Sequence, residues 1–147
     1  MTSSEATDAK IYAEEFLELA KDGVPYVGQL GLSVELWEAG HVRIRLPYSD
    51  LIRRPGGTIC GPALMGLADV TLYGVVMSLL GRVELAVTTD LTFHFLSKPE
   101  PVAMLAEGRI LKLGRRLAVG EVLISSDLDA PPLCQAVGSY AIPPTID

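Results

Sequence analysis

Between Gly56 and Gly81 the chain reads GGTICGPALMGLADVTLYGVVMSLLG, and from Ala63 to Leu80 the only charge is Asp69. A helix that is apolar on every face must be enclosed, either by a sheet or by a bilayer. Its start is well marked. Gly56-Gly57 gives a flexible approach, Gly61 suits an N-cap, and Pro62 suits the first helical position, where a missing N–H is no loss. Ala, Leu and Met then favour the helix. From Pro62 to Leu80 it rises about 28 Å at 1.5 Å per residue, enough for a small domain or a membrane. Asp69 decides between them, because an acid near the middle of a span costs roughly 2.5–3.5 kcal/mol on insertion scales. The rest of the chain shows no second apolar span and reads as alternating strands. The expectation is a sheet-wrapped helix with no membrane partner. A carboxylate carried into such a helix needs a partner or a task.

The surrounding chain supplies the wrapping. Asp8 to Lys21 carries Ile11, Phe16, Leu17, Leu19 and Ala20 at amphipathic spacing, ended by Asp22-Gly23; it is expected to cap the domain. Met1 to Thr7 is expected to be loose. Leu32 to Leu46 reads as a hairpin turning at Glu38-Ala39-Gly40, with Val42, Ile44 and Leu46 alternating with Arg43 and Arg45. His41 at the turn is read as a solvated surface residue. Asp50 to Gly57 is a loop holding Arg53, Arg54 and Pro55. Leu85 to Ser97 alternates, and the pattern assigns Val87, Thr89, Leu91, Phe93 and Phe95 to the helix. Thr88, Asp90, Thr92 and His94 fall on the opposite face, where so polar a set suits an interface or a site. Val102–Leu113, Arg116–Ser126 and Leu133–Ile142 complete the strands. The order predicts an α+β domain, an antiparallel sheet wrapped around one long central helix plus an N-terminal helix. Residues 1–30 form the N-terminal helix and link, and residues 31–147 the main body of a single domain.

Composition bounds the partners. With 147 residues and 49% hydrophobic side chains the chain can build a core, and the net charge of −6 argues against nucleic acid. Cys60 and Cys134 lack metal-ligand spacing and read as reduced thiols. The polar start MTSSEATDAK carries no secretory signal, so a cytoplasmic location is expected. The outer face of the sheet predicts at least a homodimer or homotetramer.

Three stretches carry a resemblance: the helix entry GG-x-x-x-G with Asp eight residues on, the strand TTDLTFHFLSKP, and the strand pair LKLGRRLAVGEV. Together, over about Gly31 to Pro143, the chain resembles the hotdog-fold acyl-CoA thioesterases of the phenylacetate-pathway and 4-hydroxybenzoyl-CoA thioesterase type. The resemblance implies hydrolysis of an aryl or medium-chain acyl-CoA, with coenzyme A present only as part of the substrate and no metal or further cofactor. It makes Asp69 the base or nucleophile, Gly61 the backbone N–H donor to the thioester oxygen, and Thr88 an orienting hydroxyl. Substrate contacts would fall to Arg54, Gly57, Cys60, Tyr73, Arg115 and Arg116, with Lys112 and Arg82 as further basic candidates. Arg54 stands where the family usually has Asn, and Cys60-Gly61-Pro62 where it has His-Gly-Gly.

The same chemistry follows from the residues. Hydrolysis develops negative charge on the carbonyl oxygen, which a helix N-terminus stabilises. The basic turn at Arg115-Arg116 reads by itself as a solvated turn; the resemblance makes it a candidate for the phosphates of coenzyme A, which guanidinium groups pair with in bidentate fashion. Two other readings remain open: a non-catalytic module that binds acyl-CoA or an acyl carrier, and a structural dimer in which Asp69 pairs with Arg54 or a strand hydroxyl. His94 reads as an interface residue and Cys60 as a pocket wall.

Overall fold

The computed structural model describes residues 8–144. In chain order the elements are α1 (Ala13–Gly23), α2 (Pro25–Gln29), β1 (Ser33–Glu38), β2 (His41–Leu46), a 3-10 turn (Asp50–Ile52), α3 (Gly61–Leu80), β3 (Val87–Phe95), β4 (Met104–Leu113), β5 (Leu117–Ser125) and β6 (Cys134–Ala141). The six strands form one sheet in the order β1-β2-β4-β5-β6-β3, antiparallel throughout. It wraps α3, which is the enclosure the apolar helix demands. The segment expected to be loose, Met1 to Thr7, lies outside the described residues.

Close approach of sheet and helix depends on small residues. The inner face of β6 presents Cys134, Ala136 and Gly138, that of β5 presents Ala118 and Gly120, and β4 adds Ala106 and Gly108. Gly120 and Gly138 are direct partners across the strands. A Cβ on Gly108 would come 2.7 Å from Thr71 Cγ2, and one on Gly120 would come 2.6 Å from Leu72 Cδ2. On Gly138 it would come 2.8 Å from Leu72 Cδ1. The three glycines leave the groove into which α3 settles.

α1 begins at Ala13 rather than Asp8, because the preceding chain is tied down in extended form. Lys10 N donates to Ser78 O at 2.9 Å, and the Trp37 indole donates to Ile11 O at 2.9 Å. Phe16 of α1 is fully buried, stacked on Trp37 at 5.0 Å between centroids and edge-on to Tyr73 at 5.9 Å. The N-cap of α3 is Cys60, one residue earlier than expected, which puts Gly61 inside the first turn.

Two further expectations are corrected. His41 is paired: its Nε2 lies 2.6 Å from Glu107 Oε1, and Arg43 Nε donates to Glu107 Oε2 at 2.6 Å. Burial alone would raise the Glu107 carboxyl, but the hydrogen bonds from Arg43 and His41 outweigh it and hold the group below the usual carboxylate range. The second correction concerns β3, where a bulge between Thr88 and Asp90 adds one residue against β6. Thr88 then pairs with Tyr140, Leu91 with Gly138, Phe93 with Ala136 and Phe95 with Cys134, all on the helix side. Thr88 therefore takes the inward place that strict alternation gave to Val87 and Thr89, and Val87 is 57% exposed.

Filling the glycine groove should be costly. Gly120→Ala is expected to lower stability by roughly 1–3 kcal/mol through overpacking against Leu72, read as a fall in the thermal unfolding midpoint. An unchanged midpoint would show that α3 can move away from the sheet freely.

Candidate active site

Asp69 lies nine residues into α3, on the side facing β3 and β6. Thr88 and Tyr140 are opposed across those strands, and both reach the same oxygen. Tyr140 Oη donates to Asp69 Oδ1 at 2.6 Å, and Thr88 Oγ1 donates to it at 2.7 Å. Tyr140 Oη also lies 2.9 Å from the Asp69 backbone carbonyl. Hydroxyl bonds to a carboxylate are short and strong because the acceptor is charged. Burial first, and the Asp69 charge second, push the Tyr140 phenol well above its ordinary range, so it stays a proton donor. Asp69 Oδ2 accepts no hydrogen bond among the described residues.

Asp69 borders a cleft of about 360 Å³. Val24, Tyr26, Val27, Val70, Tyr73, Ala86 and Val87 give it mostly apolar walls, with Thr88 and Tyr140 beside the acid. The stretch after α1, expected to be an extended link from Val24-Pro25, instead forms the short helix α2 and lines this cleft. Tyr26 lies over Gly66, where a Cβ would come 3.1 Å from its Cε2. Tyr73 donates its hydroxyl to Glu84 O at 2.8 Å and stacks on Tyr140 at 6.0 Å.

The helix N-terminus opens into a different hollow, of about 640 Å³, where Arg54, Thr58, Gly61, Leu64 and Lys98 meet Phe95 and Leu96. Thr58 fixes this loop by donating to Pro99 O at 2.6 Å. Cys60 makes no side-chain cap, so the first N–H groups of α3 are left for a ligand or water. Gly61 sits beneath Phe95, 3.4 Å from a would-be Cβ.

The residues expected to act together are therefore divided. Asp69, Thr88 and Tyr73 meet at one cleft. Gly61 and Arg54 lie at the other hollow, with Gly61 about 12 Å from Asp69 along the helix. The partners of Asp69 are the strand hydroxyls of Thr88 and Tyr140, and not Arg54. Gly57 N and O are taken up in the loop, by Arg54 O and the Tyr48 hydroxyl respectively, and Cys60 lines neither hollow. Arg115 and Arg116 border a third hollow, of about 760 Å³, with Leu80, Val83 and Ile142. His94 is exposed on the outer face opposite Gln135. Among the described residues no group of three or more His, Cys, Asp or Glu side chains is placed to hold a metal ion.

Residues 56–130 match the thioesterase superfamily, a stretch that contains both Asp69 and Thr88. The chain belongs to that family. It is 33% identical to a crystal structure of a "putative thioesterase" from Silicibacter sp. TM1040, with a TM-score of 0.82 over 95% of this chain and 97% of that one. A curated relative from Halobacterium salinarum, named a "putative esterase", is 27% identical over 94% of this chain and 93% of its own length. A point mutant of the phenylacetic acid degradation protein from Thermus thermophilus shares the fold at 20% identity, with a TM-score of 0.72 over 81% of this chain and 99% of that one. The hotdog architecture is thus shown, and thioester hydrolysis is the general activity that the superfamily carries.

Sequence reasoning missed Tyr140. Its signal lay in CQAVGSYA, where one phase holds Cys134, Ala136 and Gly138 and then a tyrosine. A phenol in an inward phase needs a polar partner, and Asp69 is the only charged residue on the enclosed helix.

The two thiols should separate chemically. Cys134 is fully buried and its thiol is pushed up to about 11 by burial, whereas Cys60 is half-buried. Iodoacetamide at mildly alkaline pH is expected to label Cys60 and spare Cys134 in the folded protein, as read by peptide mass spectrometry. Equal labelling would contradict the packing of β6 on α3.

Proposed function

We propose that the protein hydrolyses acyl-CoA thioesters with water, using Asp69 as the base. The observation that carries this reading is the asymmetry of its carboxylate. Oδ1 is held by two hydroxyls, while Oδ2 has no protein donor among the described residues, beside a cleft whose walls suit an aryl or medium-chain acyl group. Oδ2 would take a proton from water as the water oxygen attacks the thioester carbonyl. General-base assistance of this kind contributes roughly 10²–10⁴ in rate. The carbonyl oxygen becomes an oxyanion; as it collapses to the free acid the C–S bond breaks, the proton held on Oδ2 passes to the departing sulfur, and coenzyme A leaves as its thiol with the carboxylate regenerated. Arg115 and Arg116, exposed in the hollow beyond Val83, are offered to the phosphates of coenzyme A.

A thioester is too small to touch Asp69 and Gly61 of one chain, so the oxyanion donor is assigned to a second copy. β3 is a sheet edge, and Leu85, Val87, Phe95 and Leu96, at its ends and just beyond, are all more than half exposed. An exposed edge of nine residues is a template for pairing. The strand runs from Thr88, beside Asp69, to Phe95, over Gly61. Two copies paired antiparallel along β3 would bring the Thr88 end of one to the Phe95 end of the other. Asp69 would then face the α3 N-terminus of its neighbour, where a free N–H and the helix dipole stabilise developing negative charge. The working form is at least a homodimer, with coenzyme A bound only as substrate.

Thiol release from a panel of aryl and aliphatic acyl-CoA esters, wild type against Asp69→Asn, tests the reading. A loss of roughly 10²-fold or more in the variant is expected from removing a general base. Full turnover in Asp69→Asn would overturn the assignment. Thermal stabilisation by the esters with no thiol release from the wild type would replace it with a binding module.

A further inference from the structure

We propose that Tyr140 is a positioning residue for the hydrolysis: together with Thr88 it occupies Asp69 Oδ1 and so presents Oδ2 alone to the acyl cleft. This deepens the reading of Asp69 as base and rests on it. A carboxylate at the end of two free torsions offers either oxygen to a substrate, and each misplacement costs rate because reacting atoms must be within about 3–3.5 Å and aligned. Here both torsions are restrained by one contact pair. The phenol is 4% exposed and its ring is stacked on Tyr73, which α1 backs through Phe16. The hydroxyl position is set a second time by the Asp69 backbone carbonyl, 2.9 Å away. Tyr140 is therefore referenced to the helix backbone and to the side chain it orients.

The two donors differ in how firmly they are held. Thr88 belongs to the bulge of β3, where the register with β6 is broken. Tyr140 stands on β6, which is paired on both sides, with β5 and β3. Tyr140 lies beyond the 56–130 stretch that matches the superfamily, whereas Asp69 and Thr88 lie within it.

The test is steady-state kinetics on the best CoA ester for Tyr140→Phe, which keeps the ring and its stacking and removes only the hydroxyl. A hydrogen bond to a charged group is worth enough that kcat should fall roughly 10–100-fold, with KM changed less than about twofold. In an Asp69→Asn background the same substitution should cause no further loss, since Tyr140 acts through the carboxylate. Gly40→Ala strains a φ of +79° at the β1–β2 turn, crowds Ile110 and borders neither the Asp69 cleft nor the hollow at the α3 N-terminus. It serves as the destabilised comparison and should keep its kcat at a temperature where it is fully folded. The proposal is overturned if Tyr140→Phe keeps kcat within about twofold of wild type, or if KM rises with kcat unchanged. It is equally overturned if Tyr140→Phe lowers the residual rate of Asp69→Asn by its full factor, or if Gly40→Ala loses kcat as severely. An inactive Asp69→Asn beside an unaffected Tyr140→Phe removes this inference alone. Full turnover in Asp69→Asn removes the base reading and this inference with it.

Discussion

Everything in this domain depends on enclosing one helix that has no polar face. α3 buries Leu64, Leu67, Leu72, Val76 and Met77 in a single core shared with the sheet and with Phe16 of α1. Hydrophobic burial sets the requirement, at roughly 25 cal/mol per Å² removed from water, but it does not choose the distance. Gly108, Gly120 and Gly138 do that, because each leaves space for a side chain of α3 where a Cβ would collide. The helix is thereby fixed against β4, β5 and β6 closely enough that a side chain on it meets defined atoms on the sheet. Asp69 is the one place where that precision is applied to a charge.

The site follows from where the sheet ends. Asp69 points to the seam between β6 and the edge strand β3, so one of its oxygens is satisfied by strand hydroxyls while the other borders an open cleft. Because β3 is an edge, the same strand that positions Thr88 also offers an unpaired backbone to a second chain. The Asp69 cleft lies toward one end of this strand and the α3 N-terminus toward the other. Edge exposure, a divided site and the proposed interface between copies thus trace to one topological fact.

Much of the fold was legible. The helix, the hairpin and the four later strands announce themselves by their periods, and the superfamily match and its structural relatives agree with that order. Asp69 stands out because a lone charge in an apolar helix needs a reason. Other features were harder to see. Nothing in TTDL marks the extra residue at the β3 bulge, so alternation assigned Thr88 to the outer face, although the family resemblance had singled out its hydroxyl. The pairing of His41 with Glu107 depends on the β2–β4 register, which links residues far apart in sequence. Tyr26 and Val24 line the cleft only because the chain after α1 turns back over Gly66, a tertiary contact with no local signature. The separation of Gly61 from Asp69, by contrast, was readable from the start: eight helical residues are about 12 Å.

The central claim is that a working site needs Asp69 of one chain and the α3 N-terminus of another. The most direct measurement follows thiol release per chain as the protein is diluted through its dissociation range, with the oligomeric state determined by analytical ultracentrifugation under the same conditions. Turnover that falls in proportion to the dimer fraction, and returns on reconcentration, is the predicted result. A monomer that keeps full turnover per chain would contradict the account, because one chain alone would then hold a complete site.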